Sequence, residues 1–215
     1  MSADIPFSQS LRERTLATRE LCGSGPFMRD LMRGGGTRAD YTALLAQHYF
    51  VYSALEGAAV QLADDPVASR FINAGLIRLP ALERDLRFLL GEDWRGLITP
   101  LPTTRHYVHR IDTVAATGSA GFVAHHYTRY LGDLSDGHII RTLMQRQFGF
   151  EAEGVEFFLF DRILRPKAFK DAYRARLDAI GWDETDRQRI IEEVLLAYRY
   201  SAEVLAELYA VKATA

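Results

Sequence analysis

Two glycines, Gly132 and Gly137, sit inside a run from Gly121 to Phe148 whose apolar residues recur at helical spacing and which contains no proline. Glycine in a helix interior costs about 1 kcal/mol against alanine, so the segment Gly132-Asp133-Leu134-Ser135-Asp136-Gly137 needs a compensating role. Bare backbone permits a bend and lets a flat ligand approach main-chain atoms directly. Asp, Ser and Gly are also the usual residues of turns. The run therefore reads either as one long helix carrying a planar ligand or as two shorter helices joined by a turn.

Helical signals dominate the rest of the chain. Ser10 with Glu13 suggests a capping box for a first helix ending near Cys22, before Gly23-Ser24-Gly25-Pro26. A short segment from Phe27 to Arg33 stops at the triple glycine 34–36, and Thr37 then opens a long helix through Leu62. Asp65-Pro66 restarts helix as a cap followed by proline, and Pro80 starts another that Gly91 ends. Residues 104–117 read as helical, Pro166 begins a basic helix to Ile180, and Asp183 caps a last one to about Val211. Only Gly149 to Phe160 reads as extended. The expected fold is all-α, a single domain over 1–215.

With Lys and Arg nearly balanced by Asp and Glu, the net charge is −2. No basic field argues for nucleic acid or an anionic membrane. One cysteine, Cys22, excludes an intrachain disulfide and fits a reducing cytoplasm. The N-terminus lacks the basic and apolar regions of a signal peptide, and no apolar stretch is long enough for a membrane anchor.

Few constellations carry chemistry unaided. His125 and His126 point about 100° apart on a helix, so they do not converge on one metal without distortion. No H-E-x-x-H, P-loop, Gly-x-Ser-x-Gly or paired E-x-x-H helices occur. Lys167, Lys170, Arg174 and Arg176 recur at three- to four-residue spacing, with Lys170 and Arg174 on one face. Arg12 and Arg14 place further positive charge on the first helix.

The stretch His125-His126-Tyr127-Thr128-Arg129-Tyr130-Leu131-Gly132-Asp133-Leu134-Ser135-Asp136-Gly137 resembles the distal-helix signature R-Y-L-G-D-L-S-G-G of haem oxygenases. Pro26-Phe27-Met28-Arg29-Asp30-Leu31, Tyr52-Ser53-Ala54-Leu55-Glu56 and Phe169-Lys170-Asp171-Ala172-Tyr173-Arg174 resemble three more segments of that family, in its order. The resemblance, to the bacterial biliverdin-producing type, implies an all-helical fold with haem between the first helix and a glycine-kinked distal helix. It implies haem degradation by O₂ and electrons from an external reductase or ferredoxin-type donor, giving biliverdin, CO and Fe²⁺. By the same resemblance Asp133, Tyr52 and Arg129 serve catalysis through a water network. Gly132 and Gly137 let backbone lie over the haem, while Arg12, Tyr127, Lys170 and Arg174 contact its propionates.

Two departures bear on activity. The family's iron-ligating histidine stands nine residues before the methionine of the Phe-Met pair, and that position here is Arg19. A protonated guanidinium has no lone pair for a metal, so Arg19 is not an axial ligand, and His138 or His48 becomes the candidate. The second glycine-pair position has become Asp136, expected to bond to Arg19 across the pocket or to an iron-bound water. The expectation is a haem oxygenase impaired by Arg19 and Asp136. The alternatives are a non-catalytic tetrapyrrole binder and the same fold around an unrelated ligand.

Overall fold

The computed structural model describes residues 5–214, and these contain nine α-helices, three short 3₁₀ turns and no strand. The helices are α1 (Phe7–Gly23), α2 (Pro26–Met32), α3 (Arg38–Gln61), α4 (Leu79–Leu90), α5 (Trp94–Leu97), α6 (Pro102–Thr117), α7 (Ser119–Phe148), α8 (Pro166–Ala179) and α9 (Glu184–Thr214). Among the described residues no helix is long and apolar enough to cross a membrane.

Helix α3 begins where its sequence says it should. The Thr37 hydroxyl accepts from the Asp40 N–H, and the Asp40 carboxylate accepts from the Thr37 N–H, satisfying two donors that the first turn leaves orphaned. At α9 the Asp183 carboxylate accepts from the Asp186 N–H in the same manner. Helix α1 departs from expectation. It starts at Phe7, three residues ahead of Ser10, and has no side-chain cap. Phe7 and Leu11 are both core residues on this first stretch, and their burial extends the helix past the capping signal.

Asp65-Pro66 also yields less than expected. The Asp65 carboxylate accepts from the N–H groups of Val67 and Ala68, but only a 3₁₀ turn, Ala68–Arg70, follows. Gly149 to Phe160 is a loop with a 3₁₀ turn at Glu156–Phe158, not a strand. Its backbone is held by Asp85 of α4, whose carboxylate accepts from the N–H groups of Glu156 and Phe157.

The 121–148 run is one uninterrupted helix, so the turn reading fails. Gly149 ends it with φ 71°, the left-handed conformation that glycine adopts without a Cβ penalty. The core centres on Tyr41, Tyr52, Tyr107, Tyr173, Phe71, Phe122, Phe157 and Trp94, each almost wholly buried. Helices α1 and α7 both pack on α9 yet have few contacts with each other, and a slot opens between them.

Candidate functional site

The slot has a volume of about 380 Å³ and is walled by α1, α2, α3, α7 and α9, with Tyr107 of α6 and Phe158 at its borders. Both glycines of the starting motif reach it. A methyl group added at Gly132 would meet no atom within 4 Å, so this face of α7 is bare backbone over open space. At Gly137 an added Cβ would sit 3.1 Å from Cδ1 of Phe158, which uses the missing side chain to pack against the helix. One glycine exposes backbone to the slot, and the other admits an aromatic border.

Polar groups gather on the inner wall. The Tyr52 hydroxyl donates a hydrogen bond to Oδ2 of Asp133. Burial raises the Asp133 carboxyl above the usual carboxylate range, against the pull of the Arg129 guanidinium. Burial likewise drives the Tyr52 phenol well up, and the neighbouring Asp133 charge adds to it. Arg129 lies over the Tyr52 ring, 5.2 Å from its centroid, and Nη2 donates to Nδ1 of His48 at 3.3 Å. The Nε of Arg129 is buried without a partner. Tyr52, Arg129 and Asp133 are thus brought together as expected.

At the edge of the slot Arg19 bonds to Asp136, Nη2 to Oδ2 at 3.2 Å, tying α1 to α7. This is the pairing foreseen for the two departures. With side chains 41% and 62% exposed, the pair contributes about 0–1 kcal/mol to folding. Beside it, Lys170 of α8 donates to Oγ of Ser135 at 2.8 Å. Burial lowers the Lys170 ammonium, and the Arg174 charge lowers it further. Arg174 itself pairs with Asp171 on its own helix. Lys170 and Arg174 therefore flank the Arg19–Asp136 edge rather than line the cavity.

The remaining candidates divide. Arg12 is exposed on α1, two turns before Arg19 and on the same side of the helix. Tyr127 is buried against the Tyr173 ring and does not border the slot. His138 is exposed and lies outside the slot. One residue after Gly137, its side chain turns to the outer face of α7. His48 does line the slot, half-buried, and burial together with the Arg129 charge holds it neutral, well below the usual histidine range.

His125 and His126 are core residues. Nε2 of His125 pairs with Glu193, and Nδ1 of His126 lies 2.9 Å from the Tyr173 hydroxyl. Burial pushes His126 down to about 3. Glu56 accepts from the N–H groups of Arg78 and Leu79 and so caps the start of α4. Among the described residues no group of three or more His, Cys, Asp and Glu is set to hold a bare metal ion.

Cys22, Tyr107, Tyr198 and Ser201 line the slot and were missed as site residues. They come from α1, α6 and α9, and nothing in their local pattern separates them from core positions. The one available signal was that Cys22 follows Arg19 by three residues and so shares its helix face.

The profile of the family described as "Heme oxygenase" matches residues 5–207. Heme oxygenase 1 of Gallus gallus is 35% identical over 97% of this chain and 71% of its own length. Heme oxygenase 2 of Synechocystis is 36% identical, spanning 94% of this chain and 82% of that protein. The crystal structure of heme oxygenase-1 from Synechocystis in complex with heme superposes with a TM-score of 0.92 at 32% identity, covering 98% of this chain and 96% of that one. With almost the whole chain matched and the helical frame superposing end to end, this protein belongs to the heme oxygenase family.

Proposed function

We propose that the slot between α1 and α7 binds haem. The reaction is degradation to biliverdin, CO and Fe²⁺ with O₂ and electrons from a reductase or ferredoxin-type donor, at a rate impaired by Arg19 and Asp136. A cytoplasmic location fits the single cysteine. The observation that carries the reading is the wall of α7, where the bare backbone of Gly132 stands next to the Tyr52–Asp133–Arg129 cluster in one cavity. Membership of the family, and a relative whose crystal structure contains heme, supply the ligand class.

The residues present fit such a group. A planar apolar body suits Leu44, Val51, Phe158 and Val204, while the buried Tyr107 hydroxyl and the Nε of Arg129 border the cavity unpartnered. Arg19, Lys170 and Arg174 supply cations at the edge for carboxylates, where charge-assisted bonds are the strong ones. Bound haem supplies the iron that activates O₂ and the ring that is opened.

The protein's part is positional. Tyr52 donates to Asp133 and leaves its second oxygen free to order water. Arg129 fixes that carboxylate's surroundings, bonded to His48 and set over the Tyr52 ring. The raised affinity of Asp133 for a proton makes it a group that can take and return one inside the slot.

Where the family resemblance calls for an imidazole, Arg19 offers a guanidinium, which neither coordinates iron nor deprotonates. Asp136 adds a carboxylate where a glycine would bring backbone close. The test is a hemin titration followed by turnover with electrons supplied. Arg19→His is expected to raise turnover, because neutral imidazole coordinates ferric and ferrous iron. Asp136→Gly is expected to add to it. Absence of saturable hemin binding overturns the reading. Wild-type turnover that Arg19→His leaves unchanged in rate and spectrum overturns the assignment of impairment to Arg19.

A further inference from the structure

Three kinds of donor with affinity for iron line the slot. They are the Cys22 thiol on α1, the Met28 and Met32 thioethers on α2 and the His48 imidazole on α3. His48 is already committed. A guanidinium only donates, so at 3.3 Å from Nη2 of Arg129 the Nδ1 of His48 accepts, and the single proton of the neutral ring stands on Nε2. Neither nitrogen has a lone pair to offer unless that bond breaks. Thioethers favour soft, reduced metals, and these two lie on α2. Cys22 stands three residues after Arg19 on the α1 wall and is the only cysteine in the chain.

A second observation points to an occupant of the same space. Tyr107 is 1% exposed and borders the slot, yet its hydroxyl has no partner at hydrogen-bond distance, and the Ser201 hydroxyl, which also lines the slot, donates instead to the Ala197 carbonyl. A buried hydroxyl left without a partner is destabilising. The phenol and the Cys22 thiol line the same cavity. The unpartnered donor and the thiol therefore serve one cavity.

We propose that Cys22 is the iron ligand of this slot, holding the metal of a bound haem through sulfur from the α1 wall. The inference rests on the haem-binding reading. In the coordination step the thiol releases its proton to water and a sulfur lone pair forms the Fe–S bond. No electron is transferred, and the iron stays ferric. Arg19, one turn earlier, and Arg129 supply positive charge that stabilises a thiolate. Burial raises the free thiol, with Arg129 pulling against it, so the metal itself must drive deprotonation, as metals do for coordinating thiols. A thiolate pushes electron density to iron and favours O–O cleavage.

The full-length protein is titrated with hemin, with binding followed by quenching of intrinsic fluorescence and ligation by absorption of the ferrous–CO complex and ferric electron paramagnetic resonance. The expected wild-type signature is the red-shifted Soret band and rhombic resonance of thiolate ligation. Cys22→Ala should lose that signature and bind hemin at least about tenfold more weakly, while His48→Ala keeps it. In the unmodified protein hemin should slow alkylation of Cys22 by iodoacetamide more than metal-free protoporphyrin does, a measurement that needs no variant to fold. Saturable binding with histidine-like spectra, spectra unchanged in Cys22→Ala, or equal protection by both porphyrins overturns the ligand assignment and leaves the binding reading intact. Failure of wild-type protein to bind hemin overturns both.

Discussion

The two halves of α7 bury polar groups in different surroundings, the first in closed core and the second beside the slot. In the first half His125 and His126 are fully enclosed and away from the slot: Nε2 of His125 pairs with Glu193, itself bridged to Arg110, and His126 with the Tyr173 hydroxyl, while Nδ1 of His125 is left over inside the core. In the second half Asp133 and Arg129 bond to Tyr52 and His48, but Nε of Arg129 is left over and Gly132 faces open space. Satisfied polar groups rigidify a core, and unsatisfied ones next to a cavity mark where a ligand completes the set. One helix therefore carries a structural end and a functional end. Substitutions in the first should act on stability, and those in the second on ligand.

The largest expected effect lies at Glu193. It is 4% exposed and accepts from Arg110 while facing Nε2 of His125. Glu193→Ala leaves the part-exposed Arg110 and the buried His125 without their carboxylate, and losing hydrogen bonds to a charged group costs about 1.5–3 kcal/mol. Urea unfolding should show a loss of that size, while hemin affinity of the folded fraction stays the same. A loss below 1 kcal/mol, about the worth of a surface pair, would erase the contrast between the two halves.

Acid should expose the same cluster. Burial alone would raise Glu193, but its bonds to His125 and Arg110 win and hold it down at about 2. Its contribution is present above its unfolded value of 4.5 and is lost as pH falls through about 2. Over that range it amounts to about 3 kcal/mol at 1.36 kcal/mol per pH unit. His125, lowered by burial against the pull of Glu193, starts to lose stability as pH drops below 6.5. Asp85 runs the other way: burial raises it to about 6, so its contribution is present below 3.8 and lost as pH rises through about 6. Stability measured against pH should therefore fall most steeply below 4.5, and Glu193→Gln should flatten that limb.

The structural half was more legible than the functional half. His125-His126 could be set aside as metal ligands from helix geometry, and Thr37, Gly91 and Gly149 marked helix ends by local chemistry. Local signals misled where packing overrode them, as when burial of Phe7 and Leu11 carried α1 past Ser10. The Gly132–Gly137 segment could not be read unaided, because turn and helix share its composition. The packing role of Gly137 was equally hidden, because Phe158, which fills the space beside it, lies in a loop distant in sequence. Tyr107 and Ser201 were invisible for the same reason, since they meet the slot only once α6 and α9 have packed.

The two glycines sharpen the comparison on a scale of about 1 kcal/mol. Alanine at Gly132 meets nothing within 4 Å, so it should stabilise the free protein by about 0.5–1 kcal/mol through helix propensity. Its methyl enters the slot, and hemin affinity should fall. Alanine at Gly137 must push against Phe158 at 3.1 Å, so the propensity gain should be cancelled or reversed. Thermal melts and hemin titrations of both variants check this. Equal melting shifts would mean that the Phe158 ring yields freely and that Gly137 has no packing role.

The smallest effect on folding should come from the flank of the slot. Lys170 and Arg174 are partly exposed, and their partners are the Ser135 hydroxyl and the neighbouring Asp171. Surface pairs of this kind contribute about 0–1 kcal/mol, so the double replacement Lys170→Ala with Arg174→Ala should leave the melting of the free protein nearly unchanged. Hydrogen bonds from a charged group are stronger, about 1.5–3 kcal/mol each, so the same variant should bind hemin markedly less well if both cations meet its carboxylates. The Arg19–Asp136 pair lies close by, and Arg19 can partly take over, which makes hemin affinity in Asp136→Gly a useful control because it frees that guanidinium. Equal affinity in the double variant, on either background, would show that α8 presents only a solvated basic face.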